Sequence, residues 1–181
     1  MYTSLEIEFK TAINKDEYEK LIKLFNLENE VFVQTNYYFD TLNHSLINEH
    51  VVLRIREKAH NIKLTSKTPQ DIGTLEKHII LNKDEAYKMI KEGFDASIIG
   101  INKNVTNVAT LTTHRATTPY KNGKLFFDKN TYYDITDYEI EFECDDEEKG
   151  KELFLEFLKE HNINYIKMES KSKRAFKKAS Q

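Results

Sequence analysis

The chain has 181 residues, of which 39% are hydrophobic and 31% charged, with a formal net charge of −3 at pH 7 and a single cysteine. This length, without any Pro-rich or Ser-rich linker, predicts one domain over residues 1–181. The net charge argues against general nucleic-acid binding, and the lone Cys144 excludes an internal disulfide. We find no signal-peptide pattern and no apolar run of the ~20 residues that span a bilayer, so we expect no membrane association and a cytoplasmic location.

β-Strand patterning begins close to the first residue. In the segment LEIEFK, Leu5, Ile7 and Phe9 alternate with charged residues, which is the two-residue period of a strand. Further segments rich in Val, Ile, Thr, Tyr and Phe are TNYYFDT (35–41), VVLRIREK (51–58), NIKLTSKT (61–68), GTLEKHIIL (73–81), VATLTTHRATT (108–118), KLFFDKNTYY (124–133) and DYEIEFECD (137–145). Eight mostly antiparallel strands are enough to close a barrel, so the sequence predicts a closed antiparallel β-barrel.

Helical periodicity occurs in three places. The segments INKDEYEKLIKLF (13–25) and LNKDEAYKMIKEGF (81–94) each contain an Asn with Glu three residues later, Asn14 with Glu17 and Asn82 with Glu85, which is the spacing of a helix N-cap. The third segment is EEKGKELFLEFLKEH (147–161). The apolar stripes predicted to be buried are Tyr18, Leu21, Ile22, Phe25, Tyr87, Ile90, Leu153, Phe154, Phe157 and Leu158. We therefore predict an α+β, β-dominated fold in which amphipathic helices flank the barrel.

The predicted strands carry charges of one sign on a single face. These runs are Arg54 and Arg56; Lys63 and Lys67; and Glu139, Glu141 and Glu143. Like charges that share a strand face repel each other unless an opposite charge lies against them. A wet outer face with mixed charge is the alternative for any single strand. The three runs together favour a charged barrel interior, or tunnel, with the apolar strand faces turned outward and covered by the helices.

The charges of this predicted interior indicate what it binds. The acidic candidates are Glu6, Glu8, Glu76, Asp128, Glu139 and Glu141. The basic candidates are Lys10, Arg54, Arg56, Lys67, Arg115 and one lysine nearer the C-terminus. Arginine and lysine suit phosphate oxygens, whereas carboxylates suit the hard cations Mg²⁺ and Mn²⁺. A balanced set of both signs predicts a site for a polyphosphate bound to a divalent metal.

The same motifs, in the same order, resemble the CYTH superfamily, also called triphosphate tunnel metalloenzymes. EIEFK (6–10) is similar to the ExExK strand of that family. Its later strands resemble NYYFDT (36–41), LRIR (53–56), LTSKTP (64–69), LEKHI (75–79), LTTHR (111–115) and DYEIEFE (137–143). ESKSKRAF (169–176) resembles the ending of the bacterial branch often labelled YjbK-like, so the resemblance covers the whole chain.

This resemblance implies a tunnel of eight antiparallel strands that binds triphosphate and requires Mg²⁺ or Mn²⁺. The implied metal-site carboxylates are Glu6, Glu8, Glu139 and Glu141. The implied phosphate ligands are Lys10, Arg54, Arg56, Lys67, Arg115 and Lys171, of which Lys10, Arg56 and Lys171 take the catalytic role. The supporting candidates are Glu76, Asp128, Lys63 and Glu143. For Lys63 and for Lys171, a solvated lysine at a strand end or in a basic tail stays open as the alternative.

The expected function is metal-dependent hydrolysis of an inorganic or organic triphosphate to diphosphate and phosphate. The alternatives are a class IV-type adenylate cyclase acting on ATP, and a non-catalytic module that binds polyphosphate or nucleotide. No P-loop, zinc-type histidine spacing or nucleophile elbow points to a competing chemistry. The expected partner is a small molecule that contains a triphosphate. The oligomeric state stays open, with a homodimer as one alternative.

Overall fold

The computed structural model of the protein describes Met1–Gln181. The strands are β1 (Tyr2–Ile13), β2 (Phe32–Asp40), β3 (Val52–Lys58), β4 (Asn61–Pro69), β5 (Thr74–Leu81), β6 (Phe94–Asp95), β7 (Asn104–Tyr120), β8 (Gly123–Tyr132) and β9 (Ile135–Cys144). The helices are α1 (Lys15–Leu24), α2 (Ser45–Asn48), α3 (Lys83–Glu92), α4 (Glu147–Glu160) and α5 (Lys171–Ala179), with a 3₁₀ helix over Ala96–Ile99. All eight predicted strands are confirmed, and β6 is a short unpredicted addition.

The strands form one sheet in the order β2-β3-β4-β5-β1-β9-β8-β7-β6. Because β2 also pairs with β7, eight strands close into an antiparallel barrel, and β6 extends from β7. Strand β1 lies between β5 and β9 and pairs with β9 from Ile7 opposite Cys144 to Ile13 opposite Tyr138. The predicted closed eight-stranded barrel is therefore confirmed.

Helices α1, α3 and α4 match the three predicted helices. At α1, the Glu17 backbone N–H donates to Asn14 Oδ1 and the Asn14 backbone N–H donates to Glu17 Oε2, which completes the predicted capping box. At α3, Asn82 Oδ1 accepts from the Glu85 backbone N–H at 2.8 Å. Helices α2 and α5 were not predicted. None of the helices has both the length and the apolar character needed to cross a membrane.

Contacts divide the chain into two compact units, and β1, β2 and β7 contribute residues to both. Unit 1 comprises Met1–Leu5, Gln34–Thr112 and Ser170–Gln181. In its core, Leu53 and Ile55 of β3 belong to the same buried cluster as Ala86 and Met89 of α3. Because successive strand residues point to opposite faces, Arg54 between them lies on the face away from this core.

Unit 2 comprises Glu6–Val33 and Thr113–Glu169. Its core is rich in aromatic residues, and the rings of Phe142 on β9 and Phe154 on α4 stack with centroids 6.5 Å apart. Ile140 of β9 is fully buried in the same cluster. Glu139 and Glu141 alternate with these apolar residues, so they lie on the opposite face of β9. The expectation that helices cover the apolar strand faces is confirmed for both units.

Two apolar residues depart from the sequence-based expectation. Leu5, expected on a covered strand face, is 56% exposed. Tyr87, expected in the buried stripe of α3, is 39% exposed, and Ala86 and Met89 take the buried positions instead. The Tyr87 hydroxyl donates to Glu57 Oε1 at 2.5 Å, so its polar tip stays at the surface while Ala86 and Met89 face the core.

Candidate active site

A basic cluster lies on the polar face of β3, β4 and β5, within unit 1. We use this name for Arg54, Arg56, Lys63, Lys67, Glu76 and His78. The strand register brings its members together, because Arg56 is opposite Lys63 and Lys67 is opposite Glu76. Directly opposite side chains have Cβ atoms about 5 Å apart. Two successive strand pairings thus place several cations around one carboxylate.

Glu76 is the carboxylate that joins the members of the basic cluster. It is 8% exposed, and its Oε1 lies 2.6 Å from Lys67 Nζ and 4.0 Å from Arg54 Nη2. Its Oε2 lies 3.0 Å from His78 Nε2. Burial opposes ionisation of Glu76, but the positive charges of Lys67 and Arg54 outweigh burial and lower the carboxyl pKa. Glu76 is therefore ionised at neutral pH and orients Lys67.

His78 is a buried member of the cluster that the sequence analysis did not select. Its Nε2 also lies 3.0 Å from Ser4 Oγ, and its Nδ1 lies 3.1 Å from Thr65 Oγ1. Burial, followed by the charge of Lys63, lowers the pKa of His78, so the ring is neutral at pH 7. A neutral ring donates from Nε2 to Glu76 and accepts at Nδ1 from the Thr65 hydroxyl. Its place two residues after Glu76 on a predicted strand was the signal that could have identified it.

Strand β2 contributes a side chain that orients Arg56. Asn36 is fully buried, and its Oδ1 accepts from Arg56 Nε at 2.8 Å. Lys63, opposite Arg56, is half-buried, and its Nζ lies 6.0 Å from the ring centroid of Tyr2. Burial, followed by the charge of Arg56, lowers the pKa of Lys63. Lys63 thus belongs to a crowded positive group.

An acidic cluster lies in unit 2, on the polar face of β7, β8 and β9. We use this name for Arg115, Asp128, Glu139 and Glu141. Asp128 is opposite Glu139 in the register of β8 and β9. The three carboxylates are buried, and each has an oxygen within 4.8 Å of an oxygen of the other two. Carboxylates at this separation repel each other strongly unless a cation lies among them.

Arg115 supplies a positive charge to this cluster. Its Nε and Nη2 donate to Oδ1 and Oδ2 of Asp128 at 2.7 and 2.6 Å, and Nη2 also donates to Glu141 Oε2 at 2.5 Å. The guanidinium carbon lies 4.4 Å from the ring centroid of Phe126. Burial opposes the charge of Arg115, but Asp128 and Glu141 outweigh burial and raise its pKa well above the ordinary value. Arg115 is therefore held on two sides by carboxylates.

Glu139 is held by a second network that the sequence analysis did not identify. The fully buried Asn130 donates from Nδ2 to Glu139 Oε2 at 3.2 Å and to Asp137 Oδ1 at 3.0 Å. The Thr113 hydroxyl donates to Asn130 Oδ1 at 2.8 Å. Uncharged residues such as Asn130 do not stand out in a pattern of like charges. Strand alternation, which places Asn130 on the face of Asp128, was the available signal.

The pairing of β1 with β9 places the charged residues of β1 beside the acidic cluster. Lys10 is opposite Glu141, and Glu8 is opposite Glu143. Lys10 Nζ forms an ion pair with Glu8 Oε1 at 3.0 Å, and both side chains are half-buried. Glu6 and Glu143 are also half-buried. All the charged residues selected on β1 thus lie on one face of the strand.

The acidic cluster has the chemistry of a site for a hard divalent cation. Carboxylate oxygens are the ligands that Mg²⁺ and Mn²⁺ prefer, and a buried group of three is costly without a positive charge. The group contains Glu139 and Glu141 from the implied metal set, together with Asp128. It does not include Glu6 or Glu8.

Lys171 is the first residue of α5, within unit 1. It is 8% exposed, so the solvated-tail interpretation of this lysine is wrong. The Lys173 backbone N–H donates to Ser170 Oγ at 3.4 Å and caps the helix. On the same helix, the ring of Phe176 contacts the ring of His44 edge-on, with centroids 4.8 Å apart. Capping and packing thus hold the basic C-terminal segment in place.

Comparison with known proteins agrees with this architecture. The family model described as CYTH domain matches residues 4–176. The Bacillus subtilis (strain 168) protein named "Putative triphosphatase YjbK" is 34% identical in an alignment of 170 positions that covers 90% of each chain. A Bacillus halodurans crystal structure with the name "putative adenylate cyclase" is 34% identical, with a TM-score of 0.88, over 97% of this chain and 100% of that one. A Hippeastrum protein whose description states a dominant triphosphatase activity shares the fold, at 21% identity and a TM-score of 0.76 over 96% of each chain.

The fold and the site together define a class of protein. Its members are closed antiparallel barrels with clustered charges on the strand face that points away from the helices. The chain belongs to the CYTH domain family, since the family model and close relatives match nearly all of it. The relatives named above carry triphosphatase and adenylate cyclase descriptions.

Proposed function

We propose that the protein is a divalent-metal-dependent triphosphatase that hydrolyses inorganic triphosphate, or an organic triphosphate such as a nucleoside triphosphate, to diphosphate and phosphate. We also propose that residues 1–181 act as one domain. The observation that carries the proposal is the buried group of Asp128, Glu139 and Glu141, in a chain that also has a basic cluster ordered by Glu76. The similarity to a Bacillus subtilis relative named as a triphosphatase supports it.

The basic residues supply binding and charge stabilisation. Phosphoryl transfer depends on positioning and on neutralising charge more than on covalent chemistry. Arg54 and Arg56 offer planar donors to phosphate oxygens, and Lys67, oriented by Glu76, offers a point charge. The other proposed phosphate ligands are Lys10, Arg115 and Lys171. Among the ligands, Lys10, Arg56 and Lys171 are proposed to offset the charge that develops in the transition state.

Water is the proposed nucleophile, and it attacks in line without a covalent enzyme intermediate. The one cysteine is an unsuitable nucleophile, because burial raises the pKa of the Cys144 thiol. Asp128, Glu139 and Glu141, with Glu6 and Glu8 as further candidates, would hold Mg²⁺ or Mn²⁺, which would neutralise phosphate charge and assist the attacking water.

Phosphate release from inorganic triphosphate, ATP and thiamine triphosphate tests the proposal. Each substrate is assayed with Mg²⁺, with Mn²⁺ and with a chelator. We expect release that requires metal and that falls by about 100-fold or more in Glu141→Gln and in the double variant Glu8→Gln/Glu141→Gln. The matched control is Glu148→Gln, at an exposed position of α4, which should behave as the wild type. Equal activity of Glu141→Gln and Glu148→Gln would contradict the proposed metal site.

Adenylate cyclase chemistry is the second candidate, favoured by the 34% identity to the Bacillus halodurans protein that bears this name. A cyclase would convert ATP to cyclic AMP and diphosphate, so chromatography of the ATP reaction separates the two activities. Cyclic AMP without free phosphate would replace the triphosphatase proposal. Binding of triphosphate without any product would instead indicate a non-catalytic phosphate-binding module.

A further inference from the structure

Two amide side chains on β2 carry buried donors that nothing in the protein accepts. Gln34 is 3% exposed and Asn36 is fully buried. Gln34 Nε2 and Asn36 Nδ2 have no hydrogen-bond partner. A buried N–H without an acceptor costs free energy and is rare in native proteins. Two such groups on one strand therefore call for an acceptor from outside the chain.

The orientation of the Asn36 amide follows from its neighbour. Arg56 Nε lies 2.8 Å from the Asn36 side chain, and an arginine has donors but no acceptor. The Asn36 atom that faces Arg56 must therefore be Oδ1. Its Nδ2, with two N–H groups, is directed elsewhere and stays available. Asn36 thus holds Arg56 with one atom and presents donors with the other.

Asn36 adjoins the basic cluster, and Gln34 precedes Asn36 on the same strand. Gln34 and Asn36 are two residues apart on β2, so they share one face of the strand. In the register of β2 and β3, Asn36 is opposite Arg56, and Tyr38 is opposite Arg54. The buried Arg54 Nε also lacks a hydrogen-bond partner. Three buried donors without acceptors thus lie on the polar faces of two neighbouring strands.

The chemistry of an acceptor for this group is restricted. It must be rich in oxygen acceptors and must tolerate the cations of the basic cluster, which a phosphate group does. A neutral amide adds hydrogen bonds without adding to the repulsion among these cations. That repulsion is evident in Lys63, whose pKa is lowered first by burial and then by the charge of Arg56.

We propose that Gln34 and Asn36 bind phosphate oxygens of the substrate as neutral donors, and that Asn36 also positions Arg56. This inference rests on the proposed triphosphate substrate. It adds two uncharged ligands to the charged residues that the family resemblance implies.

Calorimetric titration with inorganic triphosphate, in a chelator and in Mg²⁺, tests the inference through Gln34→Met. Methionine keeps the length of the side chain and removes the donor. We expect the affinity for triphosphate to fall about tenfold, the usual loss for one hydrogen bond to a charged group. We expect the Tm of the ligand-free variant to stay unchanged or rise, because the substitution removes an unsatisfied buried donor. A purely structural role would lower that Tm.

Gln70→Met is the matched control, because Gln70 is exposed in the turn after β4 and its side chain donates to the carbonyl of Pro69. It should bind triphosphate as the wild type does. Asn36→Asp keeps an acceptor for Arg56 but removes the donor and adds a negative charge that repels phosphate. We expect Asn36→Asp to raise KM more than it lowers kcat and to weaken binding more than tenfold. Wild-type affinity in Asn36→Asp would mean that Asn36 only positions Arg56.

The outcomes separate this inference from the proposed function. A wild-type protein that binds triphosphate without hydrolysing it would end the triphosphatase proposal, yet the titration of Gln34→Met would still decide the role of the amides. Wild-type affinity in Gln34→Met would mean that water alone satisfies the amide, and it would overturn the inference. A wild-type protein that binds no triphosphate would overturn both.

Discussion

Arg115 donates two parallel hydrogen bonds to Asp128, from Nε to Oδ1 at 2.7 Å and from Nη2 to Oδ2 at 2.6 Å. Removing one partner of a buried ion pair leaves an uncompensated charge and costs about 3–5 kcal/mol. We expect Arg115→Ala to lower the free energy of unfolding by about this amount, since Asp128 and Glu141 both lose their cation. Urea denaturation followed by circular dichroism, in a chelator, measures the loss.

Mn²⁺ should restore part of this loss if the carboxylates form a cation site. We expect Mn²⁺ to raise the Tm of Arg115→Ala more than that of the wild type, because a ligand that binds the folded state stabilises it. The control is Lys149→Ala, which breaks an exposed ion pair with Glu152 and should change neither stability nor the response to Mn²⁺. An equal response of Arg115→Ala and wild type would argue against a cation site at this cluster.

The contact between α4 and β9 leaves no room for a side chain at Gly150. A Cβ at this position would lie 2.1 Å from Cys144 Sγ and 3.0 Å from Phe9 Cε2. We expect Gly150→Ala to lower the free energy of unfolding by about 1–3 kcal/mol through overpacking. Because Cys144→Ala removes the clashing sulfur, the double variant should be more stable than the sum of the two single effects. Strictly additive denaturation energies would contradict the packing described for α4.

His78 should make stability depend on pH on the acid side of neutrality. Burial and then Lys63 lower its pKa from the ordinary 6.5, so below that pH the unfolded chain binds more protons than the folded one. The contribution of His78 to the free energy of unfolding is therefore complete above about pH 6.5, and it is lost as the pH falls through the lowered pKa of the folded state. Urea unfolding at a series of pH values should show a shallower acid slope for His78→Gln than for the wild type.

The other groups with lowered pKa define the controls for that series. Burial also lowers the pKa of His161, so His161→Gln should flatten a further part of the same slope. Lys67 and Arg54 lower the pKa of Glu76 from 4.5, against the effect of burial. The contribution of Glu76 to the free energy of unfolding is therefore lost only at more acid pH. Identical slopes in His78→Gln and wild type would mean that the pKa of His78 is the same in the folded and the unfolded chain, which would contradict the lowered pKa of the buried ring.

The two N-caps provide a smaller test of local structure. Asn14→Ala should destabilise the protein by about 1 kcal/mol, because it removes the acceptor for the Glu17 backbone N–H. Asn82→Ala should cost slightly more, because it removes the acceptor for the Glu85 backbone N–H and also the hydrogen bond from the Asn82 amide to the Glu85 carboxylate, whereas the backbone bond from Asn14 to Glu17 survives in Asn14→Ala. Thermal denaturation of both variants checks the order, which equal or inverted losses would refute.

The strands and most of the charged residues were predictable, because the residues of one strand face recur at every second position of the sequence. Arg54, Arg56 and Lys67 stood out as runs of one sign, and the structure places them in one cluster with Glu76. The uncharged hydrogen-bond partners of the charged residues form no such pattern in the sequence. Asn36 and Asn130 act through hydrogen bonds to residues far along the chain, and only the strand register reveals them.

Helix α5 was missed for a related reason. Its many lysines match a solvated tail, and only the tertiary contacts bury Lys171 and Ala175. The carboxylate grouping was also only partly predictable. Asp128 was assigned a supporting place, because a single acidic residue on β8 gives no run to detect. Its closeness to Glu139 follows from the β8–β9 register, which the sequence alone does not determine.

The place of β1 in the sheet has a consequence for biosynthesis. Of the nine strands β1 is synthesised first, yet Ile7 pairs opposite Cys144, so the pairing of β1 with β9 has to wait until the residues up to Cys144 have been made. By contrast, β3, β4 and β5 pair with their neighbours in sequence and can form a meander early. The edge of β1 that pairs with β9 therefore stays unpaired until late in translation, and an unpaired strand edge makes the nascent chain prone to misassembly and a substrate for chaperones.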